Sequence, residues 1–307
     1  MDRRSFLKGA LAAPAAGLAV MAGEGAPTAR PRGPSKLKIS ILSYSFRGLL
    51  EEGKIDVFGY LESCKHRYGL DAADIWTGFL PSREEAYLRK VREALDDREL
   101  ALADLCADGA HIWEDRAEDR EKNHAAALEW LKAADLLGAR FLRVDAGGRA
   151  DTWTPEQFDH IVGRYREYAR YAGDRGFRMG AENHWGTEGK WANLKKLYEA
   201  VAHPAFGLSC HIGGWAGTDE EKAAADREAA PFIRHTHIAW NICEGPLEEK
   251  LANLWNAGYD GYYSVEHHSA KNEYRQVAIQ LAKVRSVLER FRTGQSPLIG
   301  QPPAGGR

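Results

Sequence analysis

The chain has 307 residues, 44% of them apolar, with nine Trp and a formal net charge of −2. That length holds one large or two ordinary domains with a substantial core, and so even a charge balance gives no ground for nucleic acid or an anionic membrane as partner. Cys64, Cys106, Cys210 and Cys243 form no C-x-x-C pair and no dense framework, so they read as separate small buried groups.

In chain order, Arg3-Arg4-Ser5-Phe6-Leu7-Lys8 precedes a mildly apolar, Ala/Gly-rich run that is too short for an ordinary spanning helix. An Arg pair followed by Phe-Leu-Lys resembles a twin-arginine signal; an ordinary secretory signal with two arginines is the plainer alternative. Residues 1–26 are therefore expected to be a signal peptide, 27–35 a Pro/Gly-rich linker, 36–292 the catalytic domain and 293–307 a loose tail. The expected location is the periplasm, reached through the twin-arginine export machinery, with no stable membrane anchor.

From Lys36 onward, strand-like and helix-like segments alternate. Residues 38–44 are β-branched and apolar, and 56–68 carry Val57, Tyr60, Leu61 and Cys64 at helical spacing. A second strand is expected over 72–76, then a helix to about Asp97 with Ser82 as N-cap and Glu85 three residues on. Residues 100–106 read as strand and 118–137 as a long helix closed by Gly138. The fourth strand, 140–144, ends at Asp145, and Thr154-Pro155-Glu156 starts the next helix with Pro at its first position. The fifth runs from Phe177 to Ala181, just before Glu182, the sixth ends at His211, the seventh at His237 and the eighth at Glu266. Helices are expected over 192–201, 218–229, 247–256 and 273–291. Eight strand–helix pairs over roughly 255 residues match a (β/α)8 TIM barrel. A doubly wound sheet is the alternative, but Ser43-Tyr44-Ser45-Phe46-Arg47 after the first strand is no glycine-rich phosphate fingerprint.

Four buried-looking strands thus end in side chains that bind cations: Glu182, His211, His237 and Glu266, spaced 29, 26 and 29 residues apart. Each interval is one strand–helix–strand unit, so parallel neighbours would carry all four to the same end of the sheet. Two carboxylates and two imidazoles there would hold one divalent ion: Mn, Co, Zn or Mg. Any one of them alone reads as a solvated strand-end group; the regular interval is what joins them.

The stretches Ala181-Glu182-Asn183-His184-Trp185-Gly186 and Gly258-Tyr259-Asp260-Gly261-Tyr262-Tyr263-Ser264-Val265-Glu266 resemble the xylose isomerase-like barrel superfamily, in particular its sugar phosphate isomerase/epimerase group. The resemblance implies that Glu182 and Glu266, ending the fifth and eighth strands, and His237 on the seventh bind the metal. It also implies that the two glutamates form the acid/base pair of a proton transfer through an enediolate. The sixth strand departs from the pattern: His211-Ile212-Gly213-Gly214 stands where an Asp ligand and a second histidine are common. A neutral donor in place of an anionic one shifts preference toward later, more nitrogen-loving metals.

Around these, His184, Trp185, His111, Lys190, Trp240 and His268 are candidate substrate contacts, and Asp145 a candidate partner for a ligand. Histidines in turns and aromatics at barrel mouths are also ordinary packing. The expected activity is metal-dependent isomerisation or epimerisation of a small-molecule sugar. Export disfavours phosphorylated sugars and points to a non-phosphorylated keto-sugar or an oxidised glycoside. The same enolate could instead expel a leaving group, making a 3-keto-glycoside β-eliminating lyase. An endonuclease IV-like activity would need more metal ligands than can be placed here, and a non-catalytic sugar-binding barrel would not need these. A homo-oligomer is left open.

Overall fold

The computed structural model describes residues 36–300; the expected signal peptide, the linker and the last seven residues of the tail lie outside the described residues. Eight parallel strands form one sheet: β1 (Ile39–Ile41), β2 (Ala72–Trp76), β3 (Ala101–Ala107), β4 (Phe141–Val144), β5 (Arg178–Glu182), β6 (Phe206–His211), β7 (Ile233–Ala239) and β8 (Tyr263–Glu266). Their order is β1-β8-β7-β6-β5-β4-β3-β2, and an isolated parallel bridge between Leu42 and Asp74 brings the two ends together. A helix follows each strand: α1 (Val57–Glu62), α2 (Glu85–Asp97), α3 (Ala117–Leu137), α4 (Pro155–Asp174), α5 (Trp191–Val201), α6 (Asp219–Ala229), α7 (Leu247–Asn256) and α8 (Glu273–Arg292). The strand order never reverses, so the architecture is the (β/α)8 TIM barrel and not a doubly wound sheet.

Local chemistry sets the element ends. Thr154 and Thr218 each form a capping box, with Gln157 and Glu221, which satisfies free N–H groups at the starts of α4 and α6. At α3 the chain turns out at Gly138, whose φ of 69° is open to glycine at no steric cost. The box expected at Ser82 does not form. Helix α2 starts at Glu85, and the Ser82 hydroxyl accepts instead from the Glu84 N–H at 3.1 Å. Strand β1 is shorter than expected because residues 43–46 wind into a 3-10 turn, and β7 continues two residues past His237. Short helices at Arg47–Glu51 and Trp240–Glu244 add to the alternation. Of the tail, residues 293–300 are tied to α7, with the Ser296 hydroxyl on Glu248 at 2.7 Å and the Gly300 N–H on Asn256 at 3.1 Å.

Strands β5 and β6 approach so closely that a Cβ on Gly180 would sit 1.8 Å from the Gly207 carbonyl oxygen. The inside of the barrel is unusually polar. Ser40, Asp74, Asp104, Arg143, Ser209, His235 and Ser264 are all buried. Alternate residues of a strand share a face, so these positions stack below the strand ends that carry the site. Among the described residues, no helix is long and apolar enough to cross a membrane.

Candidate active site

At the C-terminal ends of the strands lies a cavity of about 140 Å³ lined by Glu182, His184, His211, His237, Glu266, His268, Arg143, Asp108 and the side chains of Leu42, Tyr44 and Trp76. The four residues at the regular interval therefore meet in one place. Glu182 is 1% exposed; its Oε1 lies 2.6 Å from His237 Nδ1 and accepts from the Ser209 hydroxyl at 3.1 Å. His211 Nε2 stands between the two glutamates, 3.6 Å from Glu182 Oε1 and 3.4 Å from Glu266 Oε2. The end of β6 is fixed by Asn183, which accepts from the His211 N–H at 2.7 Å and donates to its carbonyl at 2.9 Å.

Two histidines reach from the rim to the carboxylates. His268 Nε2 is 3.3 Å from Glu266 Oε1, and His184 Nδ1 is 3.2 Å from Asp145 Oδ2 and 3.9 Å from Glu182 Oε2. Both are exposed, whereas the glutamates are buried. His267, next in sequence to His268, turns away and places its Nε2 3.1 Å from the Lys271 carbonyl.

Four other candidates stand outside the cavity wall, each held elsewhere. Lys190 pairs with Asp151 at 2.9 Å, and His111 pairs with Glu114 and meets the Trp185 ring edge-on at 5.7 Å. Trp240 opens a short helix with its ring 6.4 Å from that of His267. The aromatic residues that do line the cavity are Tyr44 and Trp76, in edge-to-face contact at 5.0 Å. Trp76 ends β2, so the strand-end rule that picked out Glu182 and Glu266 would have found it too.

The largest feature not expected from sequence is Arg143 on β4. It is 3% exposed, with Nη1 donating to Asp145 at 2.9 Å, Nη2 donating to Asp108 at 2.9 Å, and Nε 3.3 Å from Glu182 Oε2. Asp108 accepts in turn from the Trp76 indole at 2.6 Å. Behind His237, Asp104 Oδ2 lies 3.7 Å from His237 Nε2 and accepts from the Cys106 thiol at 3.1 Å. Deeper still, Asp74 meets His235 Nε2 at 3.0 Å and the Ser40 hydroxyl at 2.9 Å.

Charge decides the protonation states. Burial by itself would raise both glutamates. For Glu182, His237, His211 and Arg143 outweigh it and hold the carboxyl well below the usual range. For Glu266, His211, His268 and His237 do so, bringing it to about 2. Burial likewise pushes His237 down, but the adjoining Glu182 carboxylate lifts it to about 10. At His211 burial wins, and the imidazole is held below its ordinary value despite both glutamates.

Of this set, Glu182, His211 and Glu266 fit a divalent cation. Glu182 Oε2 and Glu266 Oε2 are buried without a hydrogen-bond partner, and His211 between them favours the neutral form that binds metal. Two overlapping groups, Glu182/His184/His211 and His211/Glu266/His268, each bring their donor atoms within 4.8 Å of one another.

Comparison with known proteins agrees with this architecture. Among solved structures, the chain is similar to the apo form of 3-keto-D-glucoside 4-epimerase from E. coli, with a TM-score of 0.67 and 17% identity over 82% of this chain and 100% of that one. A D-tagatose 3-epimerase-like protein gives 0.66 and 17% over 83% and 100%. A barrel protein from Mycobacterium smegmatis in complex with magnesium gives 0.66 and 15% over 85% and 98%. At these identities the likeness is one of fold. No curated protein matches the sequence. The sequence model of one family, described as xylose isomerase-like TIM barrel, matches residues 65–287, most of the chain. The chain belongs to the xylose isomerase-like TIM barrel family.

Proposed function

We propose that the protein is a divalent-metal-dependent sugar isomerase or epimerase that moves a proton next to a carbonyl, acting on a non-phosphorylated keto-sugar or an oxidised glycoside. The observation that carries this is the pair Glu182 and Glu266. They come from β5 and β8, are both buried and held ionised, and share one imidazole nitrogen at 3.6 and 3.4 Å. Glu182, His211, His237 and Glu266 would hold the ion. A bound divalent ion supplies Lewis-acid polarisation of a carbonyl and its neighbouring hydroxyl.

The chain's own groups supply the proton movements. One ionised carboxylate takes the proton from the carbon beside the carbonyl, and the other returns one from the opposite side. Each carboxylate has an exposed histidine near it: His268, 3.3 Å from Glu266, gives that carboxylate a proton path to solvent, and His184 lies farther from Glu182, at 3.9 Å. Asp145 holds the His184 ring in place, and Arg143 holds Asp145. The cavity of about 140 Å³ has room for the reacting end of a sugar and not for a whole glycoside. The linked substituent of a glycoside would lie outward against Trp76 and Tyr44, whose faces suit the apolar side of a sugar. A glycoside oxidised at C3 accords with the 3-keto-D-glucoside of the similar E. coli epimerase.

The test is a panel of keto-sugars and 3-keto-glycosides turned over by metal-loaded protein in deuterated water and followed by NMR. Deuterium entering at the inverted carbon is the expected result; an unsaturated keto-sugar with a free leaving group would make the enzyme a lyase. Glu182→Gln and Glu266→Gln should retain metal yet lose about 10²–10⁴-fold in rate, the usual share of a positioned general base. Near-full activity in either metal-retaining variant would sink the acid/base assignment.

A further inference from the structure

A second cavity, of about 630 Å³, lies at the opposite end of the barrel, where the strands begin. None of its lining residues lines the catalytic cavity. Its volume falls in the range of small-molecule sites. Six cations surround it: Lys38, Arg92, Arg140, Arg175, Arg178 and Arg234. They come from the starts of β1, β4, β5 and β7 and from the intervening chain, so barrel closure and not a local sequence run gathers them.

The wall is not neutralised from within. Only two acidic residues, Asp135 and Asp260, line it. Arg175 pairs with Asp135 at 3.0 Å, and Arg92 pairs with Asp96 on its own helix. Arg234 donates to the Pro231 and Ile233 carbonyls, Lys38 to the Asp260 carbonyl, and Arg140 lies over the Tyr262 ring at 5.8 Å. Lys38, Arg140, Arg178 and Arg234 therefore have no carboxylate partner among the described residues, in a chain whose total charge is only −2. A concave wall of one sign focuses its field into the cavity, and guanidinium forks match the oxygens of phosphates and carboxylates.

We propose that this cavity binds a small multivalent oxyanion, a phosphate or a polycarboxylate, at a site separate from the catalytic end. The near-even overall charge argues against a long polyanion, which would need an extended basic surface. The floor of the cavity includes the buried His235, whose Nε2 is 3.0 Å from Asp74 and which lies two residues from His237 on β7. A ligand there would thus adjoin the buried polar column beneath the active site.

The test is calorimetric titration of the full chain in low-salt buffer with inorganic phosphate and, separately, with tricarballylate, a tricarboxylate that chelates metals weakly; a neutral sugar is the control. One anion is expected to bind per chain, more weakly as chloride is added. Whichever probe binds more tightly assigns the oxyanion type. Arg140→Gln/Arg178→Gln should weaken binding by about tenfold or more, because charge-assisted hydrogen bonds are lost. Arg140→Lys/Arg178→Lys should retain more of it, and Glu266→Gln should leave it unchanged. Both arginines are exposed, so melting without anion should match the wild type. Binding of neither probe, unchanged binding in the double Gln variant, or loss in Glu266→Gln alone would each overturn the proposal.

Discussion

Replacing Arg143 by Met removes a guanidinium that touches three carboxylates while keeping an apolar side chain in its place. Breaking a buried ion pair from one side costs about 3–5 kcal/mol because the partner is left charged and dry. The three partners differ in what they lose. Asp108 is about half exposed, with 48% of its side chain open, and rehydrates cheaply. Asp145 keeps His184 at 3.2 Å, and Glu182 keeps His237 at 2.6 Å. The loss should therefore fall at the low end, about 3 kcal/mol, which in a domain of this size lowers the melting point by roughly 6–12 °C. The assay is urea unfolding followed by Trp fluorescence, in EDTA and again with saturating divalent metal. Removing a cation beside Glu182 strengthens the pull on a metal, so metal should stabilise the variant more than the wild type and shrink the deficit. A loss below about 1 kcal/mol, or the same deficit with and without metal, would refute the view that Arg143 neutralises the carboxylates of this site.

Gly180→Ala forces a methyl 1.8 Å from a backbone oxygen that only separation of β5 and β6 can move, so it should lose more than the about 1–3 kcal/mol of ordinary overpacking. A variant with wild-type soluble yield and melting point would contradict this. In metal-free protein, Glu266 falls from 4.5 to about 2 on folding, so its contribution is complete above 4.5 and is lost as pH drops through about 2; Glu182 acts in the same sense. His237 rises from 6.5 to about 10, so its contribution is complete below 6.5 and is lost as pH rises through about 10. Unfolding free energy measured against pH should therefore show these groups' full contribution between 4.5 and 6.5, and a maximum above pH 8 would count against the pairing. For the proposed export route, Arg3→Lys/Arg4→Lys should leave the precursor in the cytoplasm; undiminished periplasmic protein would oppose it.

The barrel and the ends of its strands were legible for a physical reason. A parallel strand buried on both faces is an apolar run, and the run stops where the chain meets water, so Glu182, His211 and Glu266 mark strand ends by contrast. The same burial hides what faces the barrel axis. Asp74 in Ala72–Trp76, Asp104 in Ala101–Ala107 and Arg143 in Phe141–Val144 interrupt apolar runs singly, and a single charge in such a run reads as a solvated edge. Their partners are distant in sequence: Arg143 meets Asp108 and Glu182 only because β3 and β5 pair with β4 on either side. A weaker signal was present at spacing two. Asp104 and Cys106 share one face of β3 and His235 and His237 one face of β7, Asp145 follows Arg143 at the same spacing just past β4, and polar pairs at that spacing in an apolar run already point to a charged interior. The rim residues were harder because a loop sets the direction of a side chain by its own hydrogen bonds. Lys190 and His111 have the right chemistry at the right end of the barrel, and Asp151 and Glu114 draw them aside. His184 and His268 stay at the cavity because the groups that hold them, Asp145 and Glu266, are themselves fixed on strands.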